Sequence, residues 1–238
     1  MSATTAHIRF KKVSLRRGNT QVFSGLSLDL AEPRIGLIGD NGAGKSSLFR
    51  LIGGLEEPSA GEVLACDLPA GRLPAGTVGM MFQNPDEQII FPTVEEELAF
   101  SLTVTGITRS AARSKAREFL AGRGLTDWAE RAVGGLSQGQ RQHLCWLALL
   151  IAAPRILLLD EPYASLDLPA QARLRQEIDR AGQQVLVSTH QLEQVRGFER
   201  VIWLERGRVR ADGPGHEVCA AYEADVASRL LPPAPLPA

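Results

Sequence analysis

A glycine-rich segment sets the strongest constraint on the fold of this chain. Residues Gly39–Ser46 read GDNGAGKS and fit the pattern G-x-x-x-x-G-K-[ST] at every fixed position. An apolar run, Arg34–Ile38, precedes the segment, and a helical pattern over Ser47–Ile52 follows it and is closed by Gly53 and Gly54. A strand, a glycine loop and a helix in this order predict an α/β fold with a buried parallel sheet.

The same segment has the chemistry of a phosphate site. Glycines leave backbone N–H groups bare, and the N-terminus of the following helix favours an anion. Lys45 supplies a flexible cation for the β- and γ-phosphates, and Ser46 supplies a hydroxyl for Mg²⁺. The sequence therefore predicts a nucleotide phosphate site that includes Mg²⁺.

Apolar and alternating patterns predict the strands around this loop. Ile156–Leu159, Val185–Ser188 and Val201–Leu204 are continuous apolar runs, which are typical of parallel strands covered on both faces. Ile8–Val13 and Val22–Leu30 alternate between apolar and polar residues, so we expect an antiparallel pair near the N-terminus.

Helical signals dominate the middle of the chain. Thr93–Glu96 and Ser137–Gln140 each read as a capping box, the second opening an apolar helix through Ile151. Ser110–Ala121 is an arginine-rich helical stretch, and the block 86–136 shows no strand pattern.

This order predicts an α/β fold with a mostly parallel sheet core, an N-terminal antiparallel β subdomain and an inserted α-helical lobe. We expect a single domain over residues 1–229, with the core formed by about 1–85 and 155–215 and the helical lobe by about 86–154. A last helix follows Glu217, and the proline-rich tail, 230–238, is expected to be unstructured.

Composition excludes several classes of protein. The chain has 238 residues, with 26 Lys and Arg against 27 Asp and Glu, so bulk charge gives no reason to expect a nucleic-acid partner. The longest apolar stretch, Leu144–Ala153, is shorter than the about 20 residues that a membrane span needs. No secretory signal is visible, and three cysteines without metal-ligand spacing favour a reducing compartment.

Two carboxylates follow the strand pattern Ile156–Leu159. Asp160 at the end of such a strand suits Mg²⁺, and Glu161 directly after it is suited to orient or deprotonate an attacking water. An apolar strand that ends in Asp-Glu is also common where the two residues have only a structural role. The functional interpretation of this pair therefore depends on the phosphate loop upstream.

Three further features are weak by themselves. Ser137–Gln140 is well explained as a helix cap, His190 after a strand is more often structural, and Gln83 is one glutamine after an apolar run. Their order along the chain is specific: Lys45, Gln83, Leu136–Gln140, Asp160-Glu161, Ser165–Asp167 and His190. In this order the sequence resembles the ATP-binding-cassette (ABC) ATPase family, from about Ile8 to Val209.

The resemblance implies two cassettes that meet head to tail, with ATP between one subunit's phosphate loop and the other's signature segment, Leu136–Gln140. It implies that Ser46, Gln83 and Asp160 hold Mg²⁺, that Glu161 is the general base, and that His190 contacts the γ-phosphate and supports Glu161. It assigns further nucleotide contacts to Gly39, Asn41, Gly42, Ala43, Gly44, Lys45, Ser47, Ser137, Gly139, Gln140 and Asp167.

Two positions depart from the family pattern. Gln138 replaces the first glycine of the usual LSGGQ signature, although Ser137 and Gly139 are kept. The family usually places an aromatic residue about two dozen residues before the phosphate loop to stack on adenine, whereas this region reads Leu15–Gly18. Arg17 is the candidate to stack its planar guanidinium on the base instead.

The segments Gln83–Gln88 and Thr93–Phe100 are similar to the corresponding region of energy-coupling-factor ATPases, which drive uptake of vitamins and of cobalt or nickel ions. Within that group, Glu32–Gly39 and the short C-terminus after Val209 are most similar to the biotin-uptake subunit, with cobalt uptake as the close alternative. Because every site element is intact in this sequence, a homodimer is a simpler hypothesis than a heterodimer. The resemblance implies that it lies on the cytoplasmic face of the membrane, bound near Gln83 to a transmembrane coupling subunit and to a membrane substrate-binding subunit.

Other functions stay open at this stage. The chain is also compatible with the ATPase subunit of another ABC importer or exporter. A non-transport ABC ATPase is disfavoured because the long coiled-coil insertion of the repair and chromosome proteins and the second cassette of the translation factors are not in this sequence. A non-catalytic nucleotide switch is disfavoured because Glu161 is present.

Overall fold

The N-terminal part of the protein forms an antiparallel sheet. The structure is a computed structural model that describes residues 6–164 and 166–230. Within these ranges, the spatial order of this sheet is β2-β1-β4-β5, and its strands are β1 (Ile8–Arg17), β2 (Thr20–Leu30), β4 (Ala60–Ala65) and β5 (Leu68–Pro69).

The predicted N-terminal strand pair is confirmed, but β1 continues beyond Val13 to Arg17. Its pairing with β2 shifts register between Phe10 and Val13 and again before Leu15, and Lys12 has a φ of 49°. Such bulges break the alternation of apolar and polar residues. The sequence pattern therefore ended before the strand did.

A six-stranded sheet carries the loop Gly39–Ser46. Its spatial order is β10-β9-β3-β8-β7-β6, and its strands are β3 (Arg34–Ile38), β6 (Val78–Met81), β7 (Ile156–Asp160), β8 (Gln184–Ser188), β9 (Arg200–Glu205) and β10 (Arg208–Gly213). All neighbours run parallel except β10, which pairs antiparallel with β9. The predicted mostly parallel core is confirmed.

The helices of the described residues are α1 (Lys45–Ile52), α2 (Val94–Thr103), α3 (Arg109–Ala121), α4 (Gln138–Ala152), α5 (Leu168–Arg180) and α6 (Gly215–Leu230). No helix among residues 6–164 and 166–230 is both long and apolar enough to cross a membrane. Sequence patterns missed α5 because it buries only Leu174 and Ile178 and exposes charged residues on most of its surface.

The two predicted capping boxes have different outcomes. At Ser137 the box is complete, since the hydroxyl accepts the Gln140 N–H at 3.3 Å and the Gln140 side chain accepts the Ser137 N–H at 3.0 Å. At Thr93 the hydroxyl accepts the Glu96 N–H at 3.4 Å, but the Glu96 carboxylate binds the hydroxyl itself at 2.8 Å. Thr93 is therefore an N-cap without the reciprocal bond, and the prediction of a full box there was wrong.

Helices α2, α3 and α4 share an apolar core of their own. Leu98, Ala116 and Leu144 are completely buried in it, separately from the clusters on the two faces of the larger sheet. This core supports the predicted helical lobe, whose boundaries remain a prediction. Leu230 is the last residue of α6, one residue inside the predicted unstructured tail, and the remainder of that tail lies outside the described residues.

Candidate active site

The carboxyl ends of neighbouring parallel strands bring most of the predicted site residues together. The loop after β3, the segments after β6 and β7, and His190 after β8 open at one edge of the larger sheet, where ligands of open α/β sheets bind. They surround a cleft of about 640 Å³, which we call the phosphate-loop cleft. Its lining residues are Arg17, Val22, Gly39 through Ser47, Gln83, Asp160, Glu161, His190 and Tyr222.

Backbone geometry explains the first and third glycines of the loop. Gly39 has a φ of 139°, and a Cβ there would lie 2.1 Å from the Leu204 carbonyl oxygen. Gly44 caps α1 with a φ of 110°, and a Cβ there would lie 2.8 Å from the Phe23 ring. Any other residue would therefore clash and carry strain, so the bare loop is a consequence of packing as well as of phosphate chemistry.

Lys45 lies inside the loop. Its ammonium group donates to the Gly39 carbonyl at 2.6 Å and to the Asp40 carbonyl at 3.2 Å, and the residue is 9% exposed. Burial lowers the pKa of Lys45, and the nearby carboxylates of Glu161, Asp160 and Asp40 oppose that shift. Among residues 6–164 and 166–230, its hydrogen-bond acceptors are these two carbonyl oxygens, which it can exchange for phosphate oxygens.

Glu161 and His190 form a pair at the end of β7 and β8. The His190 Nδ1 atom lies 2.9 Å from one carboxylate oxygen of Glu161, and the His190 backbone N–H donates to the other at 3.4 Å. Glu161 is 8% exposed and has a φ of 49°, while its N–H donates to the Ser188 carbonyl at 2.8 Å. A left-handed glutamate costs about 1–3 kcal/mol, and such strain clusters at functional sites.

Asp160, Ser46 and Gln83 all line the phosphate-loop cleft. The Asp160 carboxylate is 8% exposed and forms no ion pair with a basic side chain in the described part of the chain. One carboxylate with hydroxyl and amide oxygens is a hard donor set that leaves room for phosphate oxygens and water. These residues therefore fit Mg²⁺.

Arg17 lies at the cleft, but its guanidinium is not free. The Arg17 Nε atom donates to Glu56 Oε1 at 2.8 Å, and Nη2 donates to the second oxygen of the same carboxylate. The hydrogen bond to Glu56 raises the pKa of Arg17, with burial opposing it. This two-point contact fixes the guanidinium plane while 46% of the side chain stays exposed, so a stacking face remains available.

Ser137, Gly139, Gln140 and Asp167 lie elsewhere. They line a second cleft of about 460 Å³ between the start of α4 and the start of α5, which we call the signature cleft. Asp167 is the N-cap of α5 and accepts the Ala170 N–H at 2.9 Å. Ser165, which was part of the predicted set, lies outside the described residues. One chain therefore presents the predicted nucleotide contacts in two separate places.

Sequence reasoning missed Tyr222, which lines the phosphate-loop cleft, and Glu56, which binds Arg17 there. Glu56 holds Arg17 across 39 residues of chain, and the Tyr222 hydroxyl donates to Asp40 at 2.6 Å across 182 residues. Neither residue belongs to a local motif, so no pattern in this single sequence marks them.

Comparison with known proteins identifies the family. The model of the ABC transporter family matches residues 23–164. The chain is 49% identical to the "Biotin transport ATP-binding protein BioM" of Rhodobacter capsulatus over 88% of this chain and 91% of that protein. It is 35% identical to the protein of the same name from Rhizobium etli, over 91% of this chain and 97% of that protein.

The fold agrees with a solved structure of cbiO1 from Clostridium perfringens, which is described as part of the ABC transporter complex cbiONQ. The two chains superimpose with a TM-score of 0.77 at 24% identity, over 94% of this chain and 95% of that one. The phosphate loop, the acidic strand end and the matched family model agree with one another. The chain therefore belongs to the ABC transporter family and is one of its ATP-binding ATPases.

Proposed function

We propose that this protein is the ATP-hydrolysing subunit of an energy-coupling-factor importer and that the cargo is biotin. The assignment of biotin as the cargo rests on the 49% identity to the biotin transport ATP-binding protein of Rhodobacter capsulatus over nine-tenths of that protein's length. The likeness to cbiO1 is at 24% identity and concerns the fold, so it does not favour cobalt.

In the proposed reaction the loop N–H groups and Lys45 bind the β- and γ-phosphates. Ser46, Gln83 and Asp160 would hold Mg²⁺, which neutralises charge that develops on the phosphate oxygens when it is bound. Glu161 takes a proton from the attacking water, and general-base catalysis of this kind contributes about 10²–10⁴-fold to the rate. His190 orients the Glu161 carboxylate and leaves its Nε2 atom for the γ-phosphate.

The two clefts support a head-to-tail homodimer. Ser137, Gly139 and Gln140 stand at the N-terminus of α4, whose partial positive charge suits an anion, yet they do not line the cleft that contains Lys45. A second copy that places its signature cleft over the phosphate-loop cleft would complete the site. This chain carries every predicted element, so both sites of a homodimer would be competent.

A groove on the helical lobe is the proposed dock for the transmembrane coupling subunit. It has a volume of about 590 Å³ and contains Phe91, Phe100 and Arg109. The Glu97 carboxylate fixes its rim by accepting the N–H groups of Ile90 and Phe91, both at 2.9 Å. Phe100 is 38% exposed and its ring centroid lies 5.0 Å from that of Phe91, while Ile90, the residue before Phe91, is 69% exposed. Exposed large apolar side chains in one region are typical of an interaction surface.

The groove begins at Phe91, where the segment that leaves the nucleotide site ends. The chain runs from Gln83 into the Asp86–Ile90 region, and Asp86 forms an ion pair with Arg141 of α4 at 2.7 Å. A helix of a membrane subunit seated in this groove would contact residues joined both to Gln83 and to the signature helix. The protein would then act peripherally at the cytoplasmic face of the membrane, coupled to a membrane substrate-binding subunit.

The experiment is uptake of radiolabelled biotin by cells that lack their own transporter and express this chain with candidate membrane subunits. We expect the membrane subunits to copurify with the chain. We expect biotin uptake to be lost in Lys45→Ala, which is the negative control. Parallel uptake of ⁵⁷Co²⁺ separates the two cargoes. Cobalt uptake without biotin uptake would overturn the assignment of biotin and leave the ATPase assignment intact.

A further inference from the structure

Helix α6 binds one residue of the phosphate loop, Asp40. The Asp40 carboxylate accepts a hydrogen bond from the Tyr222 hydroxyl at 2.6 Å, and its other oxygen is bound by Arg229 Nη1 at 2.6 Å. A second guanidinium nitrogen of Arg229 lies 3.4 Å from the first oxygen. Two residues of α6, spaced so that they share one helix face, therefore converge on a single loop side chain.

Helix α6 is anchored where it makes this contact. The Tyr222 ring packs edge-on against Trp203 of β9, with centroids 5.2 Å apart, and Val218 and Cys219 are buried against the sheet. Arg229 is also bound by Asp225 of the same helix at 2.9 Å. The two donors are thus presented by a packed element rather than by a free tail.

A carboxylate in this position works against anion binding. Asp40 directly follows Gly39, and its own backbone carbonyl accepts the Lys45 ammonium group. A nucleotide triphosphate that enters the loop brings several negative charges close to the Asp40 carboxylate, and like charges repel with an energy that falls with distance and with solvent screening. Neutralising this carboxylate would remove the penalty.

We propose that Arg229 and Tyr222 are positioning residues for nucleotide binding: Arg229 neutralises the Asp40 carboxylate and Tyr222 holds it by a hydrogen bond, so that the loop accepts a triphosphate. The inference rests on the proposed nucleotide site at Lys45. The hydrogen bond from Arg229 and, after it, that from Tyr222 also lower the pKa of Asp40. The carboxylate therefore stays ionised, and its negative charge is balanced by Arg229. The helix thereby sets the affinity for nucleotide through Asp40, whose negative charge opposes phosphate binding.

The test is the affinity for ATP and ADP of full-length variants, measured by isothermal titration calorimetry, together with steady-state ATPase kinetics. Arg229→Ala should weaken binding about two- to fivefold, the size expected when an exposed charge pair is lost. KM for ATP should rise by a similar factor, and kcat should fall less. Tyr222→Phe should show a smaller loss, and Arg229→Lys should stay close to the parent protein.

The decisive measurement is a double-mutant cycle with Asp40→Asn. If Arg229 acts through Asp40, Arg229→Ala should have no further effect on affinity once the carboxylate is gone. Arg180→Ala, which removes the same charge from the exposed C-terminal end of α5, is the matched control. Thermal unfolding without nucleotide confirms that each variant is folded.

Two results would overturn the inference. One is an unchanged affinity for ATP in Arg229→Ala. The other is a loss of affinity from Arg229→Ala that is as large in the Asp40→Asn background as in the parent protein, which would mean that Arg229 attracts the nucleotide directly or has a structural effect. Failure of the parent protein to bind ATP would instead refute the proposed site.

Discussion

The phosphate-loop cleft and the signature cleft differ in what they offer a nucleotide. The first combines a bare glycine loop, a buried lysine and two carboxylates at the end of one sheet strand. The second offers a capped helix N-terminus and the start of α5, without such a loop. In the proposed function, the first cleft binds the triphosphate and the second completes the site of another chain.

The largest expected effect separates binding from chemistry inside the phosphate-loop cleft. Glu161→Gln should lower kcat about 10²–10⁴-fold because it removes the general base, while ATP affinity is kept and a closed dimer accumulates. The measurement is single-turnover hydrolysis combined with size-exclusion chromatography in ATP. Hydrolysis by this variant at the parent rate would exclude Glu161 as the base.

Removal of the loop cation should impair the same cleft at the binding step. Lys45→Ala should weaken ATP binding at least about tenfold, since charged hydrogen bonds contribute about 1.5–3 kcal/mol each. Calorimetric titration with ATP measures the loss, and Lys115→Ala, on the exposed surface of α3, is a control of equal charge. Retained nucleotide affinity would refute the assignment of the loop.

A charge placed in the signature cleft tests whether the two clefts belong to different chains. Gly139→Asp should leave the affinity of the monomer for ATP intact but prevent the ATP-dependent dimer, because the new carboxylate would face the partner's γ-phosphate. The matched control is Gly139→Ala, whose methyl group would lie 3.6 Å from Leu166. Analytical ultracentrifugation with and without ATP measures the dimer. If Gly139→Asp weakened ATP binding to the monomer as strongly as Lys45→Ala, the separation of the clefts would be wrong.

The smallest expected effect concerns the contact between Arg17 and the adenine base of the nucleotide. Glu56→Gln should release the Arg17 guanidinium from its fixed plane and raise KM for ATP about two- to fivefold, in the range of a single exposed ion pair. Arg17→Ala should act in the same direction, and Arg17→Tyr should restore affinity by stacking. A KM that is equal in Glu56→Gln, Arg17→Ala and the parent protein would show that Arg17 does not contact the nucleoside.

Predictability from the sequence followed the distance over which an interaction acts. The loop Gly39–Ser46 and the capping box at Ser137 depend on neighbours within eight residues, and both were visible as motifs. Helix α5 was missed because it buries too few apolar residues to show a period, and β1 was cut short because its bulges disrupt the alternation.

The sequence alone determined the chemistry of this protein: a phosphate loop, a buried strand that ends in Asp160-Glu161, and a second set of residues around Ser137. These features follow from backbone conformation and local hydrogen bonding, which short spacings encode. The tertiary structure decided which of them share a cleft, and it placed Glu56 on Arg17 and helix α6 on Asp40. Such contacts arise when packed elements bring distant residues together, so no local pattern in the chain could predict them.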